Sequence, residues 1–467
     1  MRIVKLAISG SLLAVVLAGT TLAEDTWAST LRQPASANEV AFEYDNHLYF
    51  APDEQASESP SDQPAEEAPA VGDGGAACGD VCAKPCRRCR RRCCGCNLGE
   101  PWTLPQPCFL ACRDITLGGW VSAGIYGNAH GAADNGPLGF NTLGDGAALH
   151  QLWVYAEKAA DTGGYGTDWG FRFDYVFGVD GPDTQAFGDQ GWDFGWNSSR
   201  DYGSAIPQLY AEVAVNDLAV KFGHFYTMIG WEVVPAPDNF FYSHSYTMYY
   251  GEPFTHTGFL ASYALSDRVT AHGGWTMGWD SGFENLNEAS TFLGGLAFTL
   301  SDDVSLTWAL TAGDFGAGLV GQVDGEVLSA GDIYMNSLVL EWQLSNRLTY
   351  ILQHDLGENS NLPGGSVQWY GVNQYLQYQL NACWAAGLRF EWFRDDNGAR
   401  VITDNGGNAG DYYEITAGVN YRPHANVIVR PEIRYDWYEG SVAGGMPFNE
   451  GRSTEQFSGG LDCIVTF

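Results

Sequence analysis

The sequence predicts an all-β protein: a transmembrane, antiparallel, up-and-down β-barrel of about 16 strands. Three observations support this fold class, namely apolar residues that alternate with polar ones, connections that alternate between short and long, and an unusual composition. The chain has 467 residues, of which 59 are Gly, 14% are aromatic and 17% are charged. A soluble chain of this length usually forms two or three domains. One large barrel uses the whole length, and transmembrane strands have this composition.

The alternation is clearest between residues 257 and 313, where two hairpins follow each other. In the first hairpin, Phe259 and Tyr263 belong to a run in which every second residue would lie on the same face of a strand, and Ser266-Asp267 forms the turn. The second hairpin turns at Ser301-Asp302. A period of two residues is typical of strands with one apolar face. Because no helical segment covers that face over several hundred residues, we expect lipid to cover it.

The same pattern divides the chain from residue 115 to its end into about 16 candidate strands, the even number expected of bacterial single-chain barrels. The candidates cover residues 115–127, 148–158, 168–178, 205–215, 217–224, 257–265, 268–278, 290–300, 303–313, 333–344, 347–356, 367–380, 383–394, 411–421, 426–437 and 455–467.

Short connections between these strands alternate with long ones that are rich in Gly, Asp and Asn. Short periplasmic turns and long outer loops are typical of outer-membrane barrels, whereas a β-sandwich has no reason to sort its loops by length. The least regular short connection covers residues 159–167. The others contain Asn216-Asp217, Ser266-Asp267, Ser301-Asp302, Ser345-Asn346, Asn381-Ala382 and residues 422–425.

Three segments precede the predicted barrel of residues 113–467. Residues 1–23 combine early basic residues, an apolar run and the ending Thr21-Leu22-Ala23, which predicts a cleavable signal peptide and export. Residues 24–77 include a stretch rich in Pro, Ala and Glu and are predicted to be a disordered acidic linker. Residues 78–112 form a Cys/Arg-rich segment.

The Cys/Arg-rich segment holds nine of the 11 cysteines. Thiols at this density tend to oxidise after export, so we expect a disulfide-bonded knob outside the barrel wall. Zinc binding is the alternative, because the spacing of Cys86 and Cys89 suits a metal. The basic residues from Lys84 to Arg92 either contact anionic lipid or cell-wall polymers, or only offset the acidic linker.

The formal net charge of −33 makes a nucleic-acid binder a poor interpretation, because such proteins present a basic face. Two interpretations of the acidity remain open. It keeps the protein soluble, or it makes the lumen of the barrel favourable for cations.

A set of motifs between residues 207 and 392 is specific enough to compare with known families. The motifs are Pro207-Gln208-Leu209-Tyr210, Asn216-Asp217-Leu218, Gly223-His224-Phe225-Tyr226, Pro235-Ala236-Pro237, Asn239-Phe240-Phe241-Tyr242-Ser243, residues 250–258, residues 369–375 and residues 383–392. They resemble the OmpL-like beta-barrel porin family. The resemblance covers roughly residues 115–467 and implies an outer-membrane pore without catalytic residues. The terminal Phe467, at the end of an alternating strand, also resembles the assembly signal of outer-membrane barrels.

If the apolar positions of each alternating strand face lipid, the positions between them line the lumen. Charged residues collect at these inward positions. A basic residue on the lipid face near the midplane costs roughly 2–4 kcal/mol, whereas a barrel of about 16 strands is wide enough to keep charges hydrated. Alternatively, several of these residues only pair across strands. The predicted pore-lining residues are Arg172, Asp174, Glu212, Lys221, Glu341, Arg389, Glu391, Glu414, Arg430, Glu432, Arg434 and Asp436.

The longest connection, at about residues 225–254, is rich in aromatic residues that need burial. We expect it to fold inward and form the constriction, with its acidic residues opposite basic residues on the far wall. An aromatic loop used only for subunit contacts is the alternative. The constriction residues are Glu232, Asp238 and Glu252, and the basic residues are Arg389, Arg430 and Arg434.

The predicted function is an outer-membrane porin that passes small hydrophilic solutes or ions. Its expected partners are outer-membrane lipid, these solutes and, as an open alternative, further copies of the chain, with no cofactor and no nucleic acid. A structural or adhesive barrel and an outer-membrane hydrolase are the other interpretations, although the sequence has neither a Gly-x-Ser-x-Gly nor a His-Glu-x-x-His motif. The residues weighed for catalysis or metal binding were His224, His244, His256, Asp180, Asp183, Asp189 and Asp193.

Overall fold

The structure is a computed structural model that describes residues 96–144, 146–187, 192–196, 201–316, 331–362, 365–403, 406–442 and 445–467. The predicted signal peptide, the acidic linker and the Cys/Arg-rich segment before Cys96 lie outside the described residues.

Sixteen antiparallel strands form one closed barrel, which confirms the predicted fold class. Each strand pairs with its neighbours in sequence, and the last strand pairs with the first. The strands are β1 Thr116–Asn128, β2 Ala147–Lys158, β3 Thr167–Gly178, β4 Gly203–Val215, β5 Leu218–Tyr226, β6 Thr255–Ser266, β7 Val269–Thr276, β8 Thr291–Ser301, β9 Val304–Asp314, β10 Asp332–Ser345, β11 Leu348–Ser360, β12 Val367–Asn381, β13 Trp384–Asp395, β14 Gly410–His424, β15 Val427–Gly440 and β16 Glu455–Thr466.

Most strand ends lie within two residues of the predicted ones, and β11 differs most. The alternation of apolar residues predicts its end at residue 356, but pairing continues to Ser360. The added residues are polar, so they carry no apolar signal, yet Glu358 still lies opposite Gln368 of β12. Backbone hydrogen bonds to both neighbouring strands extend β11 beyond its apolar pattern.

Alternating burial along the strands separates an inner from an outer face. On β13, Arg389, Glu391 and Phe393 are buried, whereas Leu388 and Phe390 are exposed. Side chains of successive strand residues point to opposite faces, so the polar residues of this strand lie inside the barrel. The exposed apolar residues form its outer surface, as the sequence predicts.

The two ends of the barrel differ in the length of their connections. Two-residue turns such as 216–217 and 302–303 lie at one end, with the longer 159–166 connection, and long loops lie at the other. Asn216 has a positive φ of 52°, a conformation that asparagine tolerates in tight turns. The longest connection, residues 227–254 between β5 and β6, belongs to the long-loop end.

Short helices occur only in connections and in the segment before the barrel among the described residues. None of the helices in this part of the chain is long and apolar enough to cross a membrane. They are α1 Cys108–Ala111, α2 Asp180–Thr184, the 3-10 turns Ala236–Asp238 and Leu286–Glu288, and the π-turn Thr247–Gly251, and a small hairpin pairs Ile402–Thr403 with Gly406–Gly407.

Phe467 closes the barrel next to β1. Its amide donates to the carbonyl of Gly119 at 2.8 Å, and the amide of Gly119 donates to the carbonyl of Phe467 at 3.0 Å. The first and last strands also pair along their length, for example at Trp120 and Thr466. The C-terminal residue therefore takes part in the hydrogen bonds that leave the barrel without an open edge.

Residues 96–113 contact the short-turn end of the barrel. Cys96 forms a disulfide with Cys383 in the turn between β12 and β13. Trp102 stacks on His424 with ring centroids 4.4 Å apart. Asn426, in the next turn, binds both the amide and the carbonyl of Trp102, at 2.6 and 2.8 Å. These contacts place the described part of the Cys/Arg-rich segment outside the barrel wall.

The expected internal disulfides of the Cys/Arg-rich segment are not found for its described cysteines. Cys96 pairs with Cys383, which the cysteine pattern of the segment does not include. Cys108 and Cys112 are exposed and have no disulfide partner among the described residues, so their oxidation stays a prediction. Cys108 begins α1 and Cys112 directly follows it. The remaining cysteines of the segment lie outside the described residues.

Candidate functional site

The candidate site is the barrel interior together with residues 227–254, called here the inner loop. Its aromatic residues are buried, including Phe240, Phe241 and Tyr246. Phe240 and Phe241 pack with Val339 and Ile351, which lie on the inward faces of β10 and β11. The inner loop therefore lies inside the barrel against its wall, and this packing satisfies the need of its aromatic side chains for burial.

Three arginines of the wall donate hydrogen bonds to backbone carbonyls of the inner loop. Arg430 Nη1 on β15 reaches the carbonyls of residues 236, 239 and 241 at 2.7–2.9 Å. Arg389 on β13 reaches the carbonyl of Ser243 at 2.7 Å, and Arg434 reaches that of His244 at 2.6 Å. An irregular loop segment has carbonyls without partners in a sheet, and the fork of five guanidinium donors can satisfy several at once.

Two glutamates of the same wall accept hydrogen bonds from amides of the inner loop. Glu391 accepts from the amides of Tyr246 and Thr247 at 2.7 and 2.6 Å. Glu432 accepts from those of Tyr242 and Ser243 at 2.8 and 3.1 Å. Hydrogen bonds to a charged acceptor are stronger than those between neutral groups. The wall therefore binds the inner loop in two ways: its arginines donate to loop carbonyls, and its glutamates accept from loop amides.

The buried arginines also pair with carboxylates, which offsets the cost of removing their charge from water. We call the inward side chains that bind the inner loop or pair with one another on β13–β15 the loop-binding wall. Arg389 lies between Glu232 of the loop at 2.6 Å and Glu414 of β14 at 2.5 Å. Arg430 pairs with Asp462 of β16 at 2.7 Å. The loop-binding wall comprises Arg389, Glu391, Glu414, Arg430, Glu432, Arg434 and Asp436.

The three acidic residues predicted to face the channel have different surroundings. Glu232 is buried, which raises its pKa, but the charges of Arg389 and His244 and the hydrogen bonds from Ser245 and Arg389 together hold the pKa below its ordinary value. Glu252 is also buried and accepts a hydrogen bond from Gln353 of β11. Within the described residues, the carboxylate of Asp238 takes part in no ion pair or side-chain hydrogen bond. Burial raises its pKa to about 7, although the charge of Arg172 lowers it. Of the three, only Glu232 pairs with one of the three predicted wall arginines.

Neutral residues that the sequence analysis did not identify also hold the inner loop. Gln151 of β2 binds the carbonyl of Val234 at 2.7 Å and the amide of Ala236 at 3.0 Å. Trp369 of β12 donates to the carbonyl of Gly251 at 2.9 Å. These residues carry no charge, so the pattern of charged inward residues does not include them. Polar amides at inward positions of otherwise apolar strands are the signal that would have found Gln151.

The far end of the loop contacts β2 through a chain of hydrogen bonds. The hydroxyl of Tyr242 lies 2.5 Å from Nε2 of His150, and Nδ1 of His150 lies 2.8 Å from the carboxylate of Asp180 in α2. All three side chains are buried. The inner loop therefore bridges two parts of the wall, β2 on one side and β13–β15 on the other.

The remaining predicted pore-lining residues lie outside the loop-binding wall. On β3, Arg172 pairs with Asp174 at 2.7 Å and with Glu157 at 2.5 Å. Glu212 and Lys221 lie opposite each other across β4 and β5. Glu341 lies on β10 and is partly exposed. The structure thus places all twelve on the inner face but brings only seven of them together on the loop-binding wall.

The inner wall near the short turns of β6–β10 has small or uncharged inward residues apart from Glu341. Ser305 is exposed, and Thr307 and Ala297 are partly exposed. The residues next to them in the strands, such as Trp308, lie on the outer face. We call this region the open wall. Its members are Ser262, Ala297, Ser305, Thr307 and Glu341.

The described histidines and aspartates that were candidates for catalysis or metal binding do not form a common site, and Asp189 lies outside the described residues. His224 contacts Thr257 at 2.8 Å, whereas His256 contacts Thr227 at 3.0 Å. Asp193 accepts hydrogen bonds from the amides of Ala186 and Ile206. In the described part of the chain, no group of three or more His, Cys, Asp or Glu side chains is arranged to hold a metal ion.

Solved structures with a similar fold include a porin and an outer membrane channel. An anion-selective porin from Comamonas acidovorans has 12% identity and a TM-score of 0.53, with 76% of this chain and 99% of that one covered. The outer membrane channel DcaP of Acinetobacter baumannii has 11% identity and a TM-score of 0.51, covering 76% and 97%. OprB of Pseudomonas putida has 11% identity and a TM-score of 0.51, covering 77% and 96%. At these identities the similarity concerns the fold.

The family comparison covers the barrel. None of the curated proteins compared with the chain has a significantly similar sequence. The family model described as Putative beta-barrel porin-2, OmpL-like, matches residues 114–467, which is the whole barrel from just before β1 to the C-terminus. The closed barrel of 16 strands agrees with that match. The chain therefore belongs to this family of outer-membrane β-barrel porins.

Proposed function

We propose that the barrel conducts small hydrophilic solutes or ions and that the inner loop forms its constriction. One observation carries the proposal: the longest loop lies inside the barrel and binds the wall at β2 and at β13–β15. A loop used only for subunit contacts would instead present its aromatic residues on the outside. Because the inner loop occupies part of the cross-section, it narrows the path that remains beside the open wall.

The contacts of the inner loop favour a fixed constriction over a mobile lid. At its base, the amide of Thr227 donates to the carbonyl of Phe254 at 3.0 Å. Asp280 in the β7–β8 loop accepts from the amides of Phe254 and Thr255 at 2.6 and 2.8 Å. The middle of the loop is held by Arg389 and its neighbours. A segment held at its base and its middle keeps one position, so pore width and lining charge set which solutes pass.

The predicted pore-lining residues then have two roles. The residues of the loop-binding wall position the constriction, because their charged groups bind the inner loop or pair with one another. Glu212, Lys221 and Glu341 lie away from these contacts and are the ones we assign to the solute path. Arg172 and Asp174 are paired with each other on β3. We assign no catalytic residue, and the histidines near the loop have structural partners.

Conductance in planar bilayers tests the proposal with a substitution that spares the loop contacts. Trp231 is a partly exposed residue of the inner loop that packs against the cluster of Phe240, Phe241 and their wall neighbours. Its replacement leaves the hydrogen bonds and ion pairs of Arg389, Arg430 and Arg434 with the loop in place. Trp231→Ala is expected to raise single-channel conductance, since it removes bulk from the constriction. Trp437→Ala removes the same side chain from the outer face of β15 and is expected to leave conductance unchanged.

A shortened loop gives a second and larger test. Replacing residues 236–245 with a short Gly/Ser linker is expected to widen the channel further and to alter its ion selectivity. If both variants assemble with the conductance and selectivity of the wild type, the inner loop is not the constriction. If the wild-type barrel inserts but does not conduct, the structural or adhesive interpretation is correct instead.

A further inference from the structure

We infer that Glu341 gives this channel a preference for cations over anions, an inference that rests on the proposed channel function. Glu341 lies on the inward face of β10, between the outward residues Leu340 and Trp342. Its cross-strand neighbours are Ser305 of β9 and Ile351 of β11. Neither neighbour carries a charge that could neutralise the carboxylate.

Within the described residues, the carboxylate of Glu341 takes part in no ion pair and in no side-chain hydrogen bond. The inward glutamates of the loop-binding wall differ in this respect, since Glu414 pairs with Arg389 and Glu391 binds loop amides. Gln343, the next inward residue of β10, is occupied by the hydroxyl of Thr349 at 2.7 Å and the carbonyl of Ser345 at 2.5 Å. Glu341 is therefore an inward charge without compensation.

The position of Glu341 places it at the edge of the constriction. Val339, two residues before it on the same face, is buried and packs with Phe240 and Phe241 of the inner loop. Ser305, directly opposite Glu341, is exposed. The boundary between the wall that the loop covers and the open wall thus runs between Val339 and Glu341. A solute that passes along this edge of the inner loop meets the Glu341 carboxylate.

The charges on other strands do not offset Glu341. Glu212 and Lys221 lie opposite each other in register, so their fields largely cancel at a distance. The arginines of the loop-binding wall are paired with carboxylates or bound to the loop. The inward residues of the open wall are otherwise uncharged. Glu341 therefore determines the sign of the potential on this side of the path.

An isolated charge in a narrow aqueous passage has a large effect on ion flow. The surrounding low-dielectric wall focuses its field, which concentrates counter-ions and repels ions of like charge. Salt screens this field over about 8–10 Å near physiological ionic strength. We therefore expect inorganic cations and small cationic solutes to be favoured, and the preference to weaken as salt concentration rises.

Reversal potentials across a KCl gradient in planar bilayers test the inference. The wild type is expected to be cation-selective, and Glu341→Gln is expected to lower the cation-to-anion permeability ratio by at least about twofold. Glu341→Lys should shift the ratio further toward anions. Glu341 makes no bond that holds the fold, so single-channel conductance and assembly of Glu341→Gln should stay close to those of the wild type.

The matched control is Asp302→Asn, which removes one negative charge from the exposed two-residue turn between β8 and β9. It should leave the permeability ratio unchanged, because this charge lies outside the barrel interior. If the wild type conducts but Glu341→Gln has the same reversal potential, or if Asp302→Asn has an equal effect, this inference is wrong. If the wild type does not conduct at all, the proposed function itself fails.

Discussion

The loop-binding wall and the open wall are parts of one barrel with the same alternating pattern, yet their inward residues have different surroundings. Arg389 of the loop-binding wall is fully buried between Glu232 and Glu414. Ser305 of the open wall is exposed, and Glu341 beside it has no ionic partner among the described residues. The difference arises from the inner loop, which covers β13–β15 and leaves the short-turn ends of β6–β10 accessible. Towards the long loops, Met228 and Ile229 of the inner loop share a buried cluster with Leu293 and Ala309 of β8 and β9.

This comparison separates two uses of charge inside a barrel. Where the inner loop covers the wall, each buried charge needs a partner, because desolvation without one is costly. Where water remains, a charge can stay unpaired and act on passing solutes. Charge on the inward face therefore does not by itself indicate a residue that lines the solute path.

Replacing Arg389 is expected to give the largest effect. Arg389→Ala leaves Glu232 and Glu414 buried without their common partner, and removing one member of a buried ion pair costs about 3–5 kcal/mol. Unfolding in urea, followed by the heat-modifiable shift on SDS gels, should show this loss. Arg389→Lys keeps the charge but not the fork of donors, so we expect partial rescue.

The matched change on the open wall is Thr307→Ala. Thr307 is partly exposed and faces inward on β9, so its removal should change stability by no more than about 0.5 kcal/mol. Equal losses for Arg389→Ala and Thr307→Ala would remove the distinction between the two walls.

An arginine on the outer face of β10 is expected to give the next largest effect. Leu340→Arg places a charge in lipid, at a cost of about 2–4 kcal/mol near the midplane. Ser305→Arg, directly opposite Glu341 on the inner face, should assemble as well as the wild type because its side chain reaches water. The amount of folded barrel in outer-membrane fractions measures both.

The same substitution at Thr416, which contacts Glu414 of the loop-binding wall, sharpens the comparison. Thr416→Arg introduces bulk and charge where the wild-type side chain is fully buried and donates to Glu414. We expect poor assembly, unlike Ser305→Arg. If Leu340, Thr416 and Ser305 tolerate arginine equally, both the inward assignment and the contrast between the walls are wrong.

The smallest effect concerns pH and the end of the inner loop. Burial raises the pKa of Asp280 from 3.8 to about 7, although the hydrogen bonds that its carboxylate accepts from two backbone amides lower the pKa. Between about pH 4 and pH 7, Asp280 is therefore protonated in the folded protein but ionised in the unfolded chain. The contribution to stability is complete below about pH 4 and is lost as the pH rises through 7.

Asp280→Asn removes this titration while keeping an acceptor for the amides of Phe254 and Thr255. The fall in unfolding midpoint between pH 5 and pH 8 should therefore be smaller in Asp280→Asn than in the wild type. Asp302→Asn, in an exposed turn, should keep the dependence of the wild type. Identical pH profiles for wild type and Asp280→Asn would show that Asp280 does not couple protonation to the seating of the loop.

The sequence by itself determined the strand number, the order of short and long connections, and which residues face inward. These are local properties, since a period of two residues assigns Leu388 and Arg389 to opposite faces without knowledge of any distant contact. The aromatic content of the inner loop also indicated that it must be buried. Family membership followed from the same motifs.

The tertiary structure alone decided which distant groups meet. Arg389 and Glu232 are 157 residues apart, and Cys96 and Cys383 are 287 apart. The sequence placed acids of the loop opposite Arg389, Arg430 and Arg434, but Arg430 and Arg434 bind loop carbonyls instead. Backbone groups carry no signal in side-chain patterns, so these contacts could not be predicted.

Glu341 and Glu391 illustrate the remaining difference. Both are glutamates at inward positions of long strands, and the alternating pattern treats them alike. Glu391 binds the amides of Tyr246 and Thr247, whereas Glu341 lies just beyond the edge of the inner loop. Parity along a strand fixes the direction of a side chain, but only the path of a loop from elsewhere in the chain decides whether that side chain meets protein or water.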